Sequence, residues 1–121
     1  MITVITGSNS KGLLDYAITL THTTGIGITT YPEHYLGPVG IFNWCKEYVG
    51  LYQNSNTAIV TLSIDVVNCI NQITEKHYVS REFILVTADG IQNCGINAEP
   101  VFKEFNKLYT LLDNLWEEEK Q

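Results

Sequence analysis

At 121 residues, 45% hydrophobic and 17% charged, the chain suits one compact domain spanning 1–121 with a modest core. A net charge of −6 and only seven Lys and Arg argue against direct nucleic-acid binding, which needs clustered cations to displace counterions. Cys45, Cys69 and Cys94 form no C-x-x-C, and His22, His34 and His77 fall at no ligand spacing, so neither a disulfide framework nor a metal site is expected.

Ile2, Val4 and Ile5 form a β-branched run ending at Gly7, which reads as a buried parallel strand. A helix from Leu13 follows, with Leu13, Leu14, Ala17 and Leu20 as its apolar stripe. Residues 21–25 break it, and 26–30 offer a second strand weakened by its glycines. Pro32 and Pro38 punctuate a loop, after which Ile41, Phe42, Cys45, Tyr48, Val49 and Tyr52 mark one face of a helix that ends in the polar run 53–56.

Residues 57–62, apolar and β-branched between polar turns, are a third strand. Ser63 then caps a helix carrying Val66, Val67, Ile70 and Ile73, with Asp65 in its first turn. A fourth strand over 83–87 stops at Asp89-Gly90, and 90–95 read as a polar, exposed loop. Pro100 lies near the start of a long helix in which Val101, Phe102, Phe105, Leu108, Tyr109, Leu112, Leu115 and Trp116 recur at three and four, a stripe that must pack on something. The acidic tail 117–121 reads as a solvated end. Four strand–helix alternations without a hairpin signal imply right-handed crossovers and a parallel sheet covered by helices. No run reaches the ~20 apolar residues of a membrane span, and the start has no basic n-region with a long apolar h-region, so a cytoplasmic protein is expected.

The loop Gly7-Ser8-Asn9-Ser10-Lys11-Gly12 has both glycines of the phosphate-binding pattern G-x-x-x-x-G-K-[ST]. In that pattern the Lys reaches the β/γ-phosphates and the hydroxyl holds Mg²⁺. Here those places are Leu13 and Leu14, and Lys11 precedes Gly12. Taken alone, the loop reads first as an ordinary strand-to-helix turn. Residues 28–38, ITTYPEHYLGP, resemble the Walker B stretch of RecF/OLD-like ABC ATPases, roughly I-x-D-E-P-E-x-x-L-H-P, through Pro32, Glu33, Leu36 and Pro38. The third strand resembles the same family's I-V-T-T-H-S-P-E-V-L-N-A-I through Ile59, Val60 and Thr61, then Ser63, Val66, Asn68 and Ile70.

That resemblance implies a three-layer α/β fold, a P-loop NTPase-like core of four parallel strands in the order fourth-first-third-second, with helices on both faces. It also implies lost chemistry. The phosphate Lys, the Mg²⁺ hydroxyl, the metal acid, the water-polarising acid and the sensor His of the family fall on Leu13, Leu14, Thr30, Tyr31 and Leu62. Each lost preorganised charge typically removes ~2–4 kcal/mol of transition-state stabilisation, so no ATPase, catalytic residue, metal or cofactor is expected. The helical insert with the signature motif is missing too, since only 21–25 intervene between the first helix and the second strand. Gly7, Ser8, Asn9, Ser10, Lys11 and Gly12 keep at most a weak anion nest, ~1 kcal/mol without the Lys, and Asp15 opposes it.

The expectation is a non-catalytic, ATPase-like protein that binds another protein. An ABC-type ATPase is the candidate partner, inhibited or regulated, as by a small phage protein in counter-defence. A nucleotide or anion sensor using the residual loop is the alternative, and an enzyme using Glu33, His34 or Asp89 ranks below both, because no nucleophile and base converge. Asp89 beside Gly90 reads first as a turn. Cys94 lacks a cationic neighbour to activate it. Tyr16, Tyr31, Tyr35 and Trp44 suit an exposed interface, with core packing an equal alternative for Trp44, and loss of the insert leaves a strand edge where a homodimer could form.

Overall fold

The computed structural model describes residues 1–30 and 37–120. Their order is β1 (Ile2–Gly7), α1 (Ser10–Thr24), β2 (Gly27–Thr30), α2 (Pro38–Tyr52), β3 (Thr57–Val60), α3 (Ile64–Lys76), β4 (Arg81–Thr87), β5 (Gly90–Gly95) and α4 (Glu99–Lys120). One sheet holds all five strands, in the order β2-β3-β1-β4-β5. Pairing is parallel between β2 and β3, β3 and β1, and β1 and β4, so the four expected strands stand in the expected order.

The fifth strand corrects the expectation of a four-stranded, all-parallel sheet. Residues 90–95 are not a loop: β5 turns back antiparallel on β4, with Thr87 opposite Gly90 across the two residues Ala88 and Asp89. Asp89-Gly90, read as a stop, is the hairpin signal itself. Gly90 takes φ +125°, which side chains avoid, and the Asp89 N–H donates to Thr87 Oγ1 at 3.2 Å. The strand was hidden because β5 is an edge exposed over most of its length, so it lacks the apolar alternation that marks a covered strand.

Strand order also explains where the helices lie. The β1-to-β2 crossover runs in one direction along the sheet, whereas β2-to-β3 and β3-to-β4 run in the other. Right-handed crossovers must therefore put α1 on one face and α2 and α3 on the opposite one. The core divides accordingly. Ile2, Val4, Ile59, Phe83 and Leu85 meet Cys45, Tyr48 and Val49 of α2, Val66, Val67 and Ile70 of α3, and Val101 and Phe105 of α4. Across the sheet, Ile5, Ala58, Ile84 and Val86 meet Leu13 of α1, with Tyr16 and Leu20 at its margin.

Local sequence secures these elements. Ser63 Oγ accepts from the Val66 N–H at 3.4 Å and caps α3, with Asp65 in the first turn as expected. Tyr48 Oη lies 3.1 Å from Thr57 Oγ1, tying α2 to the start of β3, and Trp44 stacks on Tyr48 at 5.5 Å. On α2, Phe42 and Tyr52 stay exposed although the periodicity groups them with the buried face. The stripe of α4 is only half used. Val101 and Phe105 are buried, Leu108 is half-buried, and every residue from 109 to 118 is exposed.

Candidate functional site

Where successive crossovers leave a parallel sheet toward opposite faces, the loops at the carboxyl ends of two adjacent strands part and open a crevice. Here those strands are β1, which leads to α1, and β3, which leads to α3. The glycine loop after β1, Thr30 at the end of β2, Leu62 after β3 and the Ala88-Asp89 turn after β4 therefore share one edge of the sheet. Pro32, Glu33 and Leu36 of the Walker B resemblance lie outside the described residues, as do Tyr31, His34 and Tyr35. Pro38 opens α2.

The glycine loop is shorter than its sequence suggests. Helix α1 begins at Ser10, not Leu13, because Asn9 is its N-cap and the Asn9 side chain accepts from the Gly12 N–H at 3.0 Å. Lys11 and Gly12 thus belong to the first helical turn, and only Ser8 and Asn9 connect strand to helix. Both their N–H groups point at the Val86 carbonyl, at 3.2 and 3.4 Å, and the Leu13 N–H returns to the Asn9 carbonyl at 2.9 Å. These donors are spent inside the fold. Ser10 and Lys11 supply the remaining N–H groups of the first turn.

Packing also accounts for both glycines. A Cβ on Gly7 would stand 1.8 Å from the Val86 carbonyl oxygen, so only glycine admits this approach of β1 to β4. On Gly12 it would meet Asn9 Nδ2 at 2.8 Å and Val86 Cγ1 at 3.2 Å, crowding the cap and the seat of α1 on the sheet.

Charge around the loop is mixed. Ser8 Oγ donates to Glu104 Oε1 at 3.0 Å, which holds an α4 carboxylate against the turn. Sequence reasoning missed Glu104 because it lies 96 residues further along the chain. Asp15 follows on α1 and Lys11 is exposed. An incoming phosphate would meet the Lys11 ammonium and the Glu104 carboxylate at this end of α1, while Asp15, expected to oppose it, stands in the second turn because the helix starts at Ser10.

The two leucines that follow Gly12 diverge. Leu13 is buried in the small core cluster under α1, while Leu14 is 58% exposed. Leu14, Ala17 and Ile18 of α1, with Ile28, Thr30 and Val60 of the sheet, line an open groove of about 260 Å³ with almost wholly apolar walls. Thr21 and His22 close its far end. It runs beside the edge strand β2 and reaches the sheet end where Thr30 stands. Leu62, after β3, is 48% exposed.

The other sequence candidates are dispersed. Tyr16 is half-buried against the sheet, with its hydroxyl pKa raised by burial and then by Glu82. Trp44 is half-buried on α2, packed against the three-helix core. Burial raises the Cys94 thiol pKa, opposite to what a reactive thiolate needs. Cys69 is raised by burial and then by Asp65, and Cys45 is pushed up to about 12 by burial and then by Cys69. Among the described residues, no helix is long and apolar enough to cross a membrane, and no three His, Cys, Asp or Glu side chains come together as a metal set. Comparisons with family models, with curated proteins and with solved structures find no match to this chain.

Proposed function

We propose that this chain is a non-catalytic, ATPase-like protein that works by binding another protein, and that its partner is an ABC-type ATPase or its complex, inhibited or regulated as in phage counter-defence. The observation that carries the reading is the apolar groove of Leu14, Ile18, Ile28 and Val60 beside a glycine loop whose donors turn inward. A nucleotide phosphate needs outward N–H groups and cations, whereas a protein segment needs desolvatable apolar surface with a polar rim. The strand order of the four parallel strands is the one the resemblance implies, which supports a P-loop NTPase-like ancestry.

The test is affinity capture from bacterial cells with the unaltered chain and with Leu14→Glu, read by mass spectrometry, beside calorimetry with ATP. Recovery of an ATPase subunit by the unaltered chain, lost with Leu14→Glu, is the expected result. Capture without any ATPase overturns the reading. Micromolar ATP binding abolished by Lys11→Glu would replace it with a sensor acting through Ser10 and Lys11.

A further inference from the structure

Phe42 and Lys46, one turn apart on α2, and Gln72, Ile73, Lys76 and His77 on α3 line an open pocket of about 360 Å³ between the two helices. Phe42 and Ile73 make part of its wall apolar, and the only charged side chains that line it are the two lysines. These are two of the seven Lys and Arg residues in a chain of net charge −6. Glu47 and Glu75, their acidic neighbours in sequence, are absent from the lining, because consecutive helical residues point about 100° apart. Neither lysine nor the His77 ring has an ion pair or hydrogen bond among the described residues.

The turn that follows α3 supplies a second, independent observation. The Val79 N–H donates to the Thr74 carbonyl at 2.9 Å and the Tyr78 N–H to the Glu75 carbonyl at 3.4 Å, the double closure of a Schellman end. Those carbonyls therefore need no lysine to satisfy them. The motif requires a left-handed backbone at residue 78, where glycine is the usual occupant. Here it is Tyr78, at φ +54° and with its side chain 96% exposed. Strain that no packing within the chain offsets points to a contact outside it.

We propose that this corner of the α2–α3 pair binds an acidic peptide segment of a partner protein. An aromatic or aliphatic side chain of the segment sits against Phe42 and Ile73, its flanking carboxylates meet Lys46 and Lys76, and Tyr78 packs along it. Charge selects this occupant. Unpaired ammonium groups beside an apolar wall complement a segment that carries carboxylates around an apolar anchor, and the acidic remainder of the chain disfavours its binding elsewhere. Shape selects a peptide over a small molecule. The pocket is open and Tyr78 stands outside its lining, so a compact ligand would stay largely in water, whereas an extended segment covers both.

This site lies across the sheet from the groove beside α1, and its test does not depend on any ATPase partner. The probe is a random peptide library selected on the full chain, and the expected survivors carry Asp or Glu on both sides of an aromatic or aliphatic residue. For one such peptide, followed by fluorescence anisotropy, Lys46→Glu combined with Lys76→Glu should weaken binding roughly tenfold, with the loss shrinking in high salt. Tyr78→Gly separates binding from folding. It should raise the urea midpoint by relieving the left-handed backbone, yet weaken the peptide roughly tenfold. Phe42→Ala, at a position 47% exposed, should weaken it with circular dichroism unchanged. A selection that yields no acidic peptides overturns the proposal, as do acidic peptides indifferent to the two lysine reversals or to Tyr78→Gly. Displacement of the peptide by inorganic phosphate as readily as by unlabelled peptide would reduce the site to an anion contact and overturn it too. Self-association of the chain that the lysine reversals abolish would assign the corner to a second copy instead.

Discussion

The two faces of the sheet solve the same problem unequally. On one, Ile2, Val4, Ile59, Phe83 and Leu85 lie beneath three helices. On the other, Ile5, Ala58, Ile84 and Val86 have α1 alone, and apolar side chains of α1 and β2 remain open as a groove. Topology sets part of the imbalance: one crossover runs toward β2 and two run away from it, so handedness places α1 opposite α2 and α3, and α4, which follows the antiparallel β5, adds to the covered face by its packing. A short α/β chain with this strand order is thereby left with one sealed face and one that offers surface. The sealed face accounts for stability, and the open face is where the ATPase partner is proposed to bind.

The sharpest way to break this contrast is a pair of truncations read by urea denaturation. Phe83→Ala empties a fully buried site under three helices and should cost about 4 kcal/mol. Leu13→Ala, on the thinly covered face, should cost about 2–3 kcal/mol, because α1 has fewer neighbours to hold a cavity open. Equal losses would show that the lone helix is packed as rigidly as the other three.

A smaller effect of opposite sign is expected at Thr6, whose side chain is fully buried with no hydrogen-bond partner for its hydroxyl among the described residues. Thr6→Val keeps the shape and removes an orphan polar atom, so the urea midpoint should rise by an amount equivalent to about 1 kcal/mol. A fall instead would place an ordered water on that hydroxyl.

The smallest effect near neutral pH belongs to Cys45, on the sealed face. Its folded pKa of about 12 lies above the ordinary 9.0, so the folded state holds the proton more tightly than the unfolded one. The contribution is complete below pH 9.0 and is lost as pH rises from 9.0 toward about 12. Thermal unfolding followed through that window should show a shallower decline for Cys45→Ala than for the unaltered chain. Identical slopes would mean that the thiol is hydrated in the folded state.

How much was legible depended on whether a signal was local. The covered strands β1, β3 and β4 announce themselves through β-branched runs, and Ser63 through its place before an apolar helical pattern. Strand β5 did not, since an exposed edge has no buried face to impose a pattern. Within the site, the glycines were visible but their reason was not. Gly7 answers to the Val86 carbonyl and Gly12 to the Asn9 cap, and the first of these contacts joins positions 79 residues apart.

From the amino-acid sequence alone came the alternation of strands and helices, the expectation of helices on both faces, and the two glycines that bracket the turn into the first helix. These are matters of residue type and near-neighbour spacing, which the chain carries without folding. Tertiary structure alone decided the three-to-one division of helices, the closing of the glycine loop onto Val86, the approach of Glu104 to Ser8, and the point along α4 where burial stops. Each depends on contacts between distant segments, and these exist only once crossover handedness and strand pairing have set the elements side by side.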